Sequence, residues 1–428
     1  MEGERELTPQ SPLPEEDRRC ELDAEGEGWQ VDLRADGSLR SLAAIDAGPL
    51  LNRGQRAIFD RTTDIRTLGV QLAPAIFLGE GTLRSELSFS LYSEVFESDQ
   101  RNADRLDRDL LDDRLVQGLL SYDRPFGDHH LLVGAEVLYQ DLTGDRFPGF
   151  EDRIRASGFV QDEWQLLAAL TINGGVRLDY DSQFDVAVSP RIAGRFEPWA
   201  GVVFRASWGL GFKAPLPLDL GIQFTNNSVG YTVQGNPDLL PERASTFSAE
   251  ASFAVAPRLT FSFGGFYSEV ENLINFAQVT PNLFMPENVS EARLMGLEAS
   301  LEYKPWRWLR FGVGYDGVDA RNLSEDRVLE NRAPHRVSGQ FGLRFDPVRF
   351  DVQSAWTDVR TIYGTDEAGN EVALLAPAFV RLDARMAVTI TQALEVFLGG
   401  DNLLDAGDDQ FLFIAPRTLY VGLRGTLR

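Results

Sequence analysis

VRLDARMAVTI, residues 380–390, decides the fold class. Val380, Leu382, Ala384, Met386, Val388 and Ile390 take every second place, with Arg381, Asp383 and Arg385 between them. A helix would scatter those charges around its circumference, whereas a strand sets all three on one face. APRTLYVGLRGTLR, residues 415–428, reads the same way, with Leu419, Val421, Leu423 and Leu427 set against Tyr420, Gly422, Arg424, Thr426 and Arg428. An apolar face and an Arg-bearing face, repeated to the end of the chain, suit the closing strand of a barrel that meets lipid on one side and water on the other.

Working back from there, the same alternation recurs through most of the chain. Leu83, Leu87, Phe89 and Leu91 oppose Arg84, Glu86, Ser88 and Ser90, and similar sets begin at Leu131, Ile172, Val202, Leu259 and Leu309. The links between runs alternate in length. Tight ones fall near residues 79–81, 125–128, 165–167, 198–201, 256–258, 305–307, 346–347 and 391–393. Longer ones cover 97–112, 143–152, 215–242, 278–287, 322–333, 364–377 and 406–410, and the link at 181–185 is short on that same side. Short turns on one rim and long loops on the other describe an all-β, transmembrane, up-and-down antiparallel β-barrel, with periplasmic turns and extracellular loops. Eight tight turns, the terminal strand and an even closure give about 18 strands, or 20. WQVDLRA and LRSLAAI, flanking Asp36-Gly37, read as a hairpin. Residues 1–28 are acidic, polar and Pro-bearing and are expected to be disordered, with the barrel over 29–428.

A soluble propeller or sandwich is the rival reading. It is disfavoured by expected strand lengths of about 10–14 residues, where soluble strands average five or six. Trp199, Trp208, Tyr267, Trp306, Trp308, Tyr315, Trp356 and Tyr363 also gather near strand ends, where interfacial girdles lie. Composition narrows the classes further. A net charge of −24 argues against a nucleic-acid partner, which needs a basic face. A single cysteine, Cys20, rules out an intrachain disulfide framework. No run reaches the roughly 18–20 apolar residues of a membrane helix, and the first residues do not read as a signal peptide.

SPRIAGRFEPWAGVVFRASWGLGFKAP (189–215) resembles the barrel domain of TonB-dependent outer-membrane receptors. GNPDLLPERASTFSAEASF (235–253), NVSEARLMGLEASLEYKP (288–305), RAPHRVSGQFGLRF (332–345), DNLLD (401–405) and the terminal strand continue the resemblance in the family's order. It implies an outer-membrane receptor of a Gram-negative bacterium, with about 22 barrel strands. Its ligand would be a scarce small molecule or metal chelate, such as a ferric siderophore, cobalamin or a glycan. It further implies a monomer in outer-membrane lipid, folded by the barrel-assembly machinery, with TonB as partner only if a plug domain lies upstream. No plug is recognisable in residues 1–428, so the alternative is a plug-less barrel acting as a passive porin. Gly425 and Leu427 stand at positions the family usually gives to aromatic residues.

No catalytic constellation is evident, and the protein is not expected to be an enzyme. His129 and His130 fall in a tight turn and His335 in a strand. Within residues 102–114, Asp104, Asp107, Asp109, Asp112 and Asp113 supply hard oxygen ligands of the kind calcium takes. Arg101, Arg105, Arg108 and Arg114 interleave them, so a salt-bridged loop is the competing reading. Of the loops, 215–242 is the longest, and its Phe224, Asn226, Asn227, Tyr231 and Asn236 are the candidate ligand contacts. Covering the barrel mouth is the plainer role for the same residues.

Overall fold

The fold is taken from a computed structural model that describes residues 16–26, 28–50, 56–101, 106–149, 152–226, 230–280, 282–365, 370–391, 393–407 and 414–425. One 22-stranded sheet holds all the strands except a separate two-stranded hairpin, Arg360–Thr365 with Glu371–Ala376. Three of the 22 are short strands of the loops, Gln223–Asn226, Tyr231–Gln234 and Arg327–Val328. That leaves nineteen wall strands among the described residues, inside the expected range of about 18–20 but an odd number where an even one was expected.

The wall is an antiparallel meander from Glu16–Gly26 to Thr418–Gly425, each strand paired with its predecessor. Nine two-residue connections lie on one rim, at 27–28, 79–80, 127–128, 168–169, 200–201, 257–258, 307–308, 346–347 and 392–393. The other rim carries the longer segments, chief among them 214–241. Among the described residues no pairing joins the first wall strand to the last.

Alternation places the side chains as the sequence pattern requires. Leu87, Phe89, Val116, Val133, Val137, Val176, Leu178, Phe204, Phe263, Leu297 and Val313 are exposed on the outer face. For a water-soluble protein that would be an aggregation surface, but it is the lipid band of a barrel. Trp199 and Trp306 project outward at the turn rim, and Trp208, Tyr267, Tyr315 and Trp356 are exposed higher on the wall. Tyr363 is the exception, since it sits in the loop hairpin Arg360–Thr365 rather than in a girdle. Most of the fully buried apolar residues, including Leu142, Phe147, Leu239, Ala292, Ala320 and Ala376, lie near the loop rim, Leu309 and Ala387 lie toward the turn rim, and none forms a central core.

Three expectations change. Glu16–Gly26, inside the stretch expected to be disordered, is a strand. Its register sets Cys20, Leu22 and Ala24 opposite Ala35, Leu33 and Val31, a small apolar row that the surrounding charges conceal. Residues 1–15 lie outside the described residues. Asp36-Gly37 does not turn. Trp29–Leu50 is one strand, and Asp36 pairs with Gly69, whose missing Cβ would lie 3.0 Å from Asp36 Oδ1. Several strands also exceed the expected length, reaching 24 residues in Leu283–Trp306. At ~3.3 Å per residue and a tilt of about 40°, a strand of about 20 residues rises roughly 50 Å, twice the apolar band. The hairpin Gly81–Gln100 with Leu106–Phe126 does this, so most of the predicted acidic loop is wall strand.

Candidate functional site

The longest loop, 214–241, folds back into the mouth at the loop rim. Pro217 starts the one-turn helix Pro217–Gly221, and Asp219 Oδ2 accepts the Leu216 amide at 2.9 Å. Gly235 then passes so close to the helix that a Cβ would meet the Leu220 carbonyl carbon at 2.6 Å, an approach only glycine permits. Asn236 holds this root: its Nδ2 donates to the Pro286 carbonyl at 3.1 Å, and its Oδ1 accepts the Asp238 amide at 3.0 Å. Asn288 makes the adjoining clamp, donating to the carbonyls of Leu240 at 3.0 Å and Asn272 at 2.8 Å. The GNP and NVSEAR segments therefore serve each other as structural partners, which places Asn236 in a framework role.

A second anchor is buried. Arg153, 2% exposed, and Asp181, 3% exposed, join through Nη2 and Oδ2 at 2.7 Å and Nε and Oδ2 at 3.0 Å. Arg153 Nη1 donates to the Pro215 carbonyl at 2.7 Å, and its guanidinium lies 5.3 Å from the Phe184 ring. Every fork of that guanidinium is used, as a buried charge requires.

Beyond these anchors the hairpin Gln223–Asn226 with Tyr231–Gln234 bridges distant parts of the wall. On one side Tyr231–Gln234 pairs in parallel with Leu283–Trp306, Thr232 N donates to the Asn282 carbonyl at 2.7 Å, and Tyr231 meets Phe284 edge-on at 5.8 Å. On the other, Arg146 lies between two rings, 4.5 Å from Phe224 and 4.8 Å from Phe96. Its Nε and Nη2 donate to Asp109 Oδ2 at 3.1 and 3.0 Å, while the Gln223 amide donates to its carbonyl at 2.7 Å. Arg61 Nη2 donates to Asn226 Oδ1 at 3.0 Å. Arg61, Phe96, Asp109 and Phe284 share the register of the inward-facing side chains, so the hairpin spans the mouth itself.

The neighbouring loops dock likewise. Arg327 Nη1 donates to Glu371 at 2.7 Å and stacks over Tyr363 at 4.6 Å, and Asn331 N donates to the Thr361 carbonyl at 2.8 Å. Partial burial opposes the Arg327 charge, but the Glu371 hydrogen bond and the Glu325 and Glu371 carboxylates outweigh it and raise its pKa above the ordinary guanidinium value.

Of the predicted ligand contacts, the structure brings Phe224, Asn226 and Tyr231 together, and Asn226 Nδ2 lies 3.4 Å from the Tyr231 hydroxyl. Asn227 lies outside the described residues. Arg146 and Phe96 gave no spacing signal, being a loop arginine and a strand-end phenylalanine that meet only in three dimensions. The acidic set does not form a cluster. Asp112 faces outward with Arg114, while Asp109 is taken by Arg146 and Asp113 accepts Gln140 Nε2 at 3.0 Å. Asp107 lies on the same strand as a partnered residue, and Asp104 is outside the described residues. Among the described residues no three acidic, histidine or cysteine side chains group to hold a metal ion. The extended strand is the physical reason: it turns Asp112 to the other face and spaces Asp107, Asp109 and Asp113 along the inner one, at roughly 6–7 Å for every two residues, where a compact loop would have gathered them. In the terminal strand, Leu419, Val421 and Leu423 are exposed on the outer face as expected, and Leu427 lies beyond the described residues.

Comparison with known proteins agrees with this geometry. The chain is 26% identical over 194 residues to the iron-regulated outer membrane virulence protein of Vibrio cholerae, an alignment that takes in 41% of this chain and 30% of that protein. Among solved structures it superposes on the copper transporter OprC with a TM-score of 0.70 at 14% identity, covering 97% of this chain and 80% of that one. The siderophore receptor PirA of Pseudomonas aeruginosa gives 0.66 at 14%, covering 97% and 78%. At such identities these structures speak for the fold. The family model for the TonB dependent receptor-like β-barrel matches residues 15–403, and the chain belongs to that family.

Proposed function

We propose that this chain forms the outer-membrane barrel of a receptor that takes up a scarce metal chelate, a ferric siderophore in the first instance, from the loop side. The turn rim would face the periplasm and the loop rim the exterior. The observation that carries the reading is the hairpin 223–234 held across the mouth by Arg146, since a ligand reaching the lumen must bind on this cap or displace it. The iron-regulated relative and the siderophore and copper transport proteins of the same fold support the ligand class. Receptors and transporters of this kind are not enzymes, and the arrangement at the mouth offers recognition rather than bond chemistry.

The test is binding of ferric catecholate and hydroxamate siderophores, cobalamin and copper chelates to the folded protein, followed by tryptophan fluorescence. Saturable binding of one ferric siderophore, with affinity changed about tenfold or more by Arg146→Ala, is expected, on the scale of a lost charge-assisted contact. Absence of binding to the whole set, together with steady ion conductance in a planar bilayer, would instead favour the passive pore.

A further inference from the structure

At the turn rim, in a chain whose net charge is −24, cations crowd together. Arg258, Lys304, Arg307, Arg310, Arg344 and Arg349 line one cleft of about 620 Å³, in which Asp351 is the only acidic lining residue. Strand register enforces the crowding. Arg344 stands directly opposite Arg349, and Gly342, on the same face as Arg344, stands opposite both Arg310 and Asp351. Asp351 is shared, 3.2 Å from Arg349 Nε and 3.7 Å from Arg310 Nη2. Lys304 pairs with Glu302 at 2.8 Å, and Arg258 Nη1 donates to the Pro305 carbonyl at 2.9 Å. Among the described residues Arg307 and Arg344 have no ion-pair partner.

Like charges directly opposite one another weaken a sheet, so this arrangement costs stability unless an anion sits between them. Planar guanidinium forks converging on one space match the oxygens of a phosphate, which they can engage two at a time. Beside the cations lies an aromatic shelf. Trp306 and Trp308 stack with centroids 5.0 Å apart, and Trp308 stacks on Phe345 at 4.6 Å. Indole shelves next to basic groups mark the level at which a membrane meets water.

We propose that this cleft binds a phosphate group, carried by an anionic phospholipid headgroup or by a soluble phosphate. It lies on the rim opposite the capped mouth and is independent of the ligand taken up there.

The intact protein, folded in a zwitterionic detergent, is exposed to mixed micelles of phosphatidylglycerol or phosphatidylcholine and, separately, titrated with inorganic phosphate and pyrophosphate by calorimetry. Retention of phosphatidylglycerol over phosphatidylcholine, reduced about tenfold by Arg344→Gln with Arg349→Gln and weakened by salt, is expected if the lipid supplies the phosphate. Saturable pyrophosphate binding lost in the same variant, without a lipid preference, supports the site with a soluble source. Arg381→Gln, on the inner wall outside the cleft, should leave both readings unchanged. Heat-modifiable gel migration verifies that each variant is folded. If the double variant does not fold, Lys304→Gln with Arg307→Gln in and beside the turn replaces it. No preference and no phosphate binding by the unaltered protein, or an equal loss in Arg381→Gln, overturns the proposal.

Discussion

Arg153 shows what a single side chain can hold together at the loop rim. It joins the entry of strand Arg153–Leu167, the exit of strand Leu170–Asp181 and the start of the long loop through Pro215. Removing it leaves Asp181 charged and buried without its counter-ion, so Arg153→Ala should destabilise the folded protein by roughly 3–5 kcal/mol. Denaturant titration followed by tryptophan fluorescence checks this. The paired replacement Arg153→Met with Asp181→Leu should recover most of the loss, because no unpaired charge then remains. Neither residue stood out in the sequence, where each was one more charge near a strand end. Phe224, Asn226 and Tyr231 were legible as mouth residues because they lie in the longest loop. Their partners were not, because the register and tilt that bring Arg146 and Phe96 beneath them depend on the whole wall.

At the level of elements, period-two alternation marked most of the wall strands, since outward apolar and inward polar residues are required by the two media they touch. It failed where that contrast fades. Glu16–Gly26 has only Cys20, Leu22 and Ala24 as apolar side chains in its outward register, and the upper parts of the long hairpins carry charge on both faces. Asp36-Gly37 misled because a favourable turn dipeptide also fits a strand whose neighbour is glycine. The two-residue turns were easier to read because their backbones demand particular residues. Gly201, at φ 85°, closes the turn after Trp199 with its missing Cβ 2.9 Å from the Ala254 Cβ. Gly201→Ala should therefore cost about 1–2 kcal/mol, read as a lower urea midpoint, while Gly339→Ala, where no atom lies within 4 Å of the added carbon, should cost less.

For the molecule as a whole, the outer surface is apolar, most of the buried apolar residues sit near the loop rim, and the polar faces of the strands turn inward. Such a protein should leave membranes only with detergent and should migrate faster unheated than boiled on a denaturing gel, because a cooperatively paired wall resists the detergent until heated. Identical migration in both states would mean that the wall does not persist as a folded unit.

The nineteen wall strands among the described residues also obey a parity rule. In a strictly alternating meander an odd number of strands sends the first and the last the same way, so Glu16–Gly26 and Thr418–Gly425 point in one direction. Joined directly, they would make the only parallel seam in the wall.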